Sequence, residues 1–267
     1  MSQHAFLTGP DFKTAKQLLI MKKIALSFCF FLFLSSALSA QSAPGFRFGF
    51  QASPTWSWMR TTDKKLEGVG SNWGLKLGAL GEYYFAANYA FITGLGFGFN
   101  QGGTIQNGYE MASLWDNSDL SEEKFKVVGK EAKLHYRLNF VEIPFGLKMR
   151  GGSGEDSRLK FYAEVPVFTI GFLSRAQGDI RGTQDKNTED EDIRKDVNGL
   201  SLAWGLGGGI EYEFATSATL VAGLSFQQQF TDITGKGTIQ KNVGDPFVLE
   251  KSKGTIGLIA FKLGVFF

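Results

Sequence analysis

The sequence predicts an all-β fold, an eight-stranded antiparallel transmembrane β-barrel with short periplasmic turns and long extracellular loops. Three observations predict it. Eight segments alternate apolar and polar residues, their connections alternate between short and long, and the last segment alternates strictly up to Phe267. A period of two puts the alternate residues on opposite faces of a strand. Apart from one N-terminal run, no apolar stretch reaches the ~18 residues that mark a transmembrane helix.

The elements follow in chain order. Residues 21–40 have the pattern of a signal peptide, with Met21-Lys22-Lys23, an apolar run from Ile24 to Leu34, and small residues up to a cut placed after Ala40. Residues 1–20 lack signal character and are assigned as an upstream extension from a misassigned start, which leaves 41–267 as the barrel domain. Cys29, the single cysteine, lies inside the apolar run after Phe28, where lipid modification needs a small residue. The mature chain is therefore expected to carry no cysteine, hence no disulfide and no thiolate metal site.

The strands are predicted at 45–58, 72–85, 89–101, 133–150, 158–174, 200–214, 218–230 and 255–267. In the first, Phe46, Phe48, Phe50, Trp56 and Trp58 oppose Arg47, Gly49, Gln51 and Ser53. In the fourth, Val141, Ile143, Phe145, Leu147 and Met149 oppose Glu142, Gly146 and Lys148. The fifth is assigned with Val165 and Val167 on the outward face, the third with Gly98 and Asn100 on the inward face. Most segments exceed the ~9–11 residues that a tilted spanning strand needs. Connections at 86–88, 151–157 and 215–217 are short, and those at 60–71, 102–132, 175–198 and 232–253 are long and polar. A barrel with both termini in the periplasm shows this order, and a sandwich has no reason to sort its loops by parity. Aromatics gather near the ends of the outward faces, as at the two membrane interfaces.

The inward face carries five bases (Arg47, Lys76, Lys148, Lys160, Lys262) and five acids (Glu82, Glu142, Glu164, Glu211, Glu213). Isolated charges in a dry interior are costly, so equal numbers suggest a paired network that fills the lumen, where a selective pore would show an excess of one sign. Pairing is expected between adjacent strands, with Glu211 and Glu213 both placed to neutralise Lys160 and with Lys160–Glu211 as the interacting pair. The inward glycines leave gaps for long side chains or a small ligand. Pro144 and Pro166 are placed inward on neighbouring strands, at a shared bulge or bend.

Other chemistry is sparse. Charge is balanced, 28 basic against 26 acidic residues, so there is no basic field for nucleic acid. Gly-x-Gly repeats sit on strands and open no helix, which rules out a dinucleotide fingerprint. His135, with Tyr136 and Ser174, is the one group that imitates a lipid-acting site, but parity turns it away from the lumen. The run from Thr188 to Asp192 lacks the glycine and spacing of a calcium loop. No catalytic residue, cofactor or metal is assigned, and no enzyme is expected.

The stretch Leu138-Asn139-Phe140-Val141-Glu142-Ile143-Pro144-Phe145-Gly146-Leu147-Lys148 resembles a Tyr-Leu-Glu-Ile-Pro-Leu…Lys strand of the PorT-like outer-membrane β-barrel family, supported by Phe46 to Gly49 and Gly94-Leu95-Gly96-Phe97. The resemblance implies an eight-stranded barrel in the outer membrane of a Gram-negative-type envelope. The expected function is a structural or partner-binding role, with the resemblance to one namesake implying an accessory of type IX protein secretion; the alternatives are a narrow channel or small-ligand transporter and a lipid-modifying enzyme. Phe267 resembles the C-terminal signal of such barrels. The expected partners are outer-membrane lipid, the barrel-assembly machinery during biogenesis, and envelope or secretion proteins that meet the long loops.

Overall fold

In a computed structural model, which describes residues 45–152, 158–182 and 187–267, eight long strands close into a ring. The predicted signal peptide, the upstream extension and Cys29 lie outside the described residues, as does most of the 151–157 turn. The ring strands are β1 (Phe46–Thr61), β2 (Leu66–Ala86), β3 (Tyr89–Asn107), β6 (Lys133–Gly151), β7 (Leu159–Arg181), β9 (Leu200–Ala215), β10 (Ala218–Gln229) and β13 (Gly254–Phe266). Their neighbours run in the order β6-β3-β2-β1-β13-β10-β9-β7, and β6–β7 pairing completes the circle. β1 and β13 join antiparallel from Gly49↔Phe266 to Thr61↔Gly254. Closure leaves the ring no free edge, which a strand in lipid requires because nothing there satisfies an unpaired backbone group.

The short elements lie in the long connections. They are β4 (Met111–Ser113), β5 (Val128–Gly129), β8 (Thr188–Asp192), β11 (Thr238–Gln240) and β12 (Val248–Leu249). β12, β11, β4 and β5 form a second sheet, and β8 pairs with the outer end of β7.

Outward side chains between two aromatic rows are apolar and exposed, among them Leu75, Leu77, Phe97, Phe145, Leu206, Leu224 and Phe261. The outer row includes Trp73, stacked on Trp56 at 6.2 Å, then Trp58, Phe226 and Trp204 with successive ring centroids at 6.5 and 6.1 Å. The inner row includes Tyr83, Phe85, Tyr89, Tyr212 and Phe214. From Trp73 to Phe85 along β2, ~3.3 Å per residue and a tilt of ~40° give ~30 Å along the barrel axis, the thickness of a bilayer core.

Three sequence expectations need correction. The first long loop, 60–71, is mostly strand and shrinks to a turn at 62–65. The loops at 102–132 and 175–198 likewise begin as strand, and most of their apolar residues are buried, so they are not simply polar. Two bulges also shift parity. In β3 the register breaks between Gly98 and Gln101, with Asn100 at φ 55°, so the inward residue is Gln101 and not Asn100. In β7 it breaks between Glu164 and Val167, so Pro166 is exposed and Val167 lines the lumen with Pro144.

Candidate functional site: the closed lumen

The lumen has three layers. At the short-turn end Arg47 (β1), Glu82 (β2), Lys148 (β6) and Glu211 (β9) form a charge-neutral square. Lys148 Nζ is 2.5 Å from Glu82 and also contacts Glu211, and Arg47 lies 3.4 Å from Glu82 and 3.2 Å from Glu211. Lys148, Glu82 and Glu211 are at most 2% exposed. Tyr84 accepts a hydrogen bond from Arg47 and donates one to Glu82. The Lys148 ammonium sits 4.6 Å from the Tyr162 ring and 5.3 Å from that of Phe266, while Arg47 lies 5.5 Å from Phe266. Two cations, two carboxylates and three rings thus close this end without net charge. An eight-stranded barrel is narrow enough for side chains to do so.

The expected Lys160–Glu211 pair does not form. Although the two are opposite in the β7–β9 register, Lys160 binds Glu213 at 2.6 Å on the rim, and Glu211 turns to Lys148 and Arg47. Lys148 reaches past β3 to β2 and past β7 to β9, because long side chains meet across the axis of a narrow barrel.

The middle layer is a cavity of about 110 Å³, lined in part by Gln51, Lys76, Glu142, Glu164, Gln227 and Lys262. Lys76 lies 2.7 Å from Glu142 and donates to Gln227 at 2.6 Å. Gln101 donates to Glu142 at 2.8 Å, and Lys262 pairs with Glu164. Gly98 makes room here, since a Cβ on it would lie 1.8 Å from the Gln101 amide.

The outer layer is dry. Met59, Leu66, Ile105, Leu134, Tyr136, Leu138, Phe140, Leu173, Ala176, Ile180 and Ile256 point inward from the ring. They pack with Trp115, Phe125 and Val128 of the second connection, Ile193 and Val197 of the third, and Ile233 and Ile239 of the fourth. Trp115 is 1% exposed and edge-on to Tyr136 at 5.3 Å. A Cβ at 178 would come 2.4 Å from the Trp115 ring, so glycine is needed there. The connections are tied to one another by the buried Asp196, which accepts from the Asn117 backbone and amide groups and from the Ser118 hydroxyl. The long connections therefore fold into the barrel mouth as a cap.

Residues 39–235 match the family model described as outer membrane protein beta-barrel domain. The chain belongs to this family. It is an outer-membrane β-barrel. Among solved structures it is similar to Neisserial surface protein A, with 14% identity over 82% of this chain and 95% of that one and a TM-score of 0.40. OprG from Pseudomonas aeruginosa is similar at 13% identity, over 85% and 98% of the two chains, with a TM-score of 0.42. A major outer membrane protein from Thermus thermophilus has 14% identity over 83% and 99%, with a TM-score of 0.40. No curated protein matches the chain.

The other candidates of this barrel are not brought together. His135 faces out from β6 and bonds the Thr104 hydroxyl at 2.8 Å through Nδ1. Ser174 is exposed and donates to the Asn139 carbonyl, while Tyr136 points the opposite way, into the dry core. Acids of the 188–192 run are engaged: Asp190 with Arg137 at 2.6 Å, Glu189 with Arg181 at 3.2 Å, and Glu191 with Ser121 and Thr188. Hydrogen bonds from those two residues hold the Glu191 carboxyl below the usual carboxylate range in spite of its burial. Among the described residues no cluster of His, Cys, Asp and Glu could hold a metal. Phe267 bonds the Phe48 backbone in both directions. Sequence reasoning missed Tyr84 and Phe266 at the square and the whole dry core; the signal for the latter was the apolar run of even positions Leu134, Tyr136, Leu138 and Phe140.

Proposed function

We propose that this protein is a closed outer-membrane barrel with a structural and partner-binding role, a pedestal that holds a rigid surface outside the cell. One observation carries this reading: the lumen is blocked twice, by a neutral charge square at the periplasmic end and by a dry core at the outer end. A conduit would need a continuous wet path. Partners in the envelope, including the secretion components implied by the PorT-like resemblance, would meet the cap. The folded protein should give no steady unitary current in planar bilayers, and reproducible porin-sized openings would replace this reading with that of a channel. Crosslinking in intact cells from Lys124 or Lys195, both on the cap, should capture envelope proteins if the surface serves as a dock.

A further inference from the structure

The outer rim between the first and last strands collects cations that form no ion pair among the described residues. The turn at 62–65 and the end of the fourth long connection are joined, Thr62 N–H donating to the Lys253 carbonyl at 3.1 Å and Lys253 N–H to the Thr62 hydroxyl at 2.9 Å. This joint groups Lys64, Lys65, Lys251 and Lys253, with Arg60 just below. Among the described residues none of these five is in an ion pair; the cations on the outer part that are paired include Lys124, Lys130, Arg137, Arg181 and Lys195. The acids on the same two segments are occupied. Asp63 accepts from the Lys65 backbone and the Tyr109 hydroxyl, and Glu250 is 3% exposed.

The patch also lies at a defined height. The Arg60 guanidinium is 5.9 Å from the ring of Trp58, a member of the outer aromatic row. From Trp58 to Lys64 the strand and turn climb no more than ~20 Å, even fully extended. The patch therefore stands at and just above the headgroup level of the outer leaflet, where aromatic rows mark the interface. We propose that Arg60, Lys64, Lys65, Lys251 and Lys253 form a binding surface for the phosphate groups of an anionic lipid in the outer leaflet. Lysine is a point-charge donor that suits phosphate without demanding one geometry.

The test uses the folded protein in neutral detergent and three probes: a bisphosphorylated lipid A, the same lipid with its phosphates removed, and inorganic phosphate. Binding of the bisphosphorylated lipid is expected to weaken by at least about tenfold in the K64Q/K65Q/K251Q/K253Q variant and to fall with added salt. The variant should keep its heat-modifiable gel shift, because none of the four ammonium groups is tied into an ion pair. A K124Q/K195Q variant, altered elsewhere on the cap, should bind as the parent does. Equal affinity for the dephosphorylated lipid, equal affinity of the quadruple variant, or an inorganic phosphate affinity matching that of the lipid would each overturn the proposal. Tighter lysine-dependent binding of a sulfated glycan than of lipid A would overturn it in favour of a soluble polyanion.

Discussion

The two halves of β6 obey opposite rules. From Val141 to Met149 the odd residues are apolar and face lipid, while Glu142 and Lys148 face inward. From Lys133 to Asn139 the odd residues Lys133, His135, Arg137 and Asn139 face outward, and Leu134, Tyr136, Leu138 and Phe140 are buried inside. The backbone and its pairing continue without a break in direction; only the surroundings change. In lipid the wall is apolar outside and the interior can be polar, whereas in water the same wall must be polar outside and dry inside. Register breaks at Gly98/Gln101 and Asn139/Phe140 fall at the level of this inversion, so small adjustments of the ladder accompany the crossover.

The largest effect is expected in the lipid-embedded half, at Lys148. Lys148→Met leaves Glu82 and Glu211 with Arg47 alone and should cost about 3–5 kcal/mol, read as a lower temperature for the heat-modifiable gel shift. Adding Glu211→Gln restores neutrality and should recover a large part. Additive losses would show that the square is not a unit.

Two leucines on one strand then separate the environments. Leu138→Ala in the dry core should cost about 2–5 kcal/mol in urea unfolding, because the cavity has nothing to fill it. Leu147→Ala on the lipid face should cost distinctly less, since acyl chains are as apolar as leucine and take up the space. Equal losses would remove the distinction between the two halves.

Gly178→Ala presses on Trp115 and should destabilise the cap by about 1–3 kcal/mol with little effect on the spanning half. Limited proteolysis at Lys126 and Lys130 would speed up while the gel shift stays put; a parallel loss of both would join cap and barrel into one cooperative unit.

The smallest effect is one of pH. Burial raises the Glu191 carboxyl, but hydrogen bonds from Ser121 and Thr188 outweigh it and hold the group below its ordinary 4.5. A depressed carboxylate stabilises fully above the ordinary value, and the contribution is lost as pH falls through the lower folded one. Cap proteolysis should therefore rise on acidification below that ordinary value, and Glu191→Gln should flatten the rise. An unchanged profile in the variant would assign the acid response to another group.

All eight ring strands were legible in the sequence, because each has one lipid face and a period of two. Their full lengths were not. The predicted strand 133–150 covers almost all of β6, but a template with one fixed apolar face scores the outer ends of β2, β3 and β7 as loop, since there the buried apolar residues Leu66, Ile105 and Ile180 point inward. Trp115, Phe125 and Val128 carry no period at all, and their burial depends on a cavity made by distant strands. Parity assigned ten charges to the inward face, but it could not name their partners. Strand order supplies neighbours along the wall, and the contacts of Lys148 run across the axis. Phe266, overshadowed by the terminal Phe267, was legible only as an even position among small and charged ones.

Met59 and Ile256 are opposite each other where the first strand meets the last, and both belong to the dry core under the cap. The core therefore lacks one wall until the first and last strands have zipped together. Strands inserted in sequence leave Trp115 and its neighbours in water, and only the final pairing step gives them shelter. The cap thus acts as a latch on barrel closure: it can engage fully only after the seam has formed, and once engaged it holds that seam shut from outside the membrane.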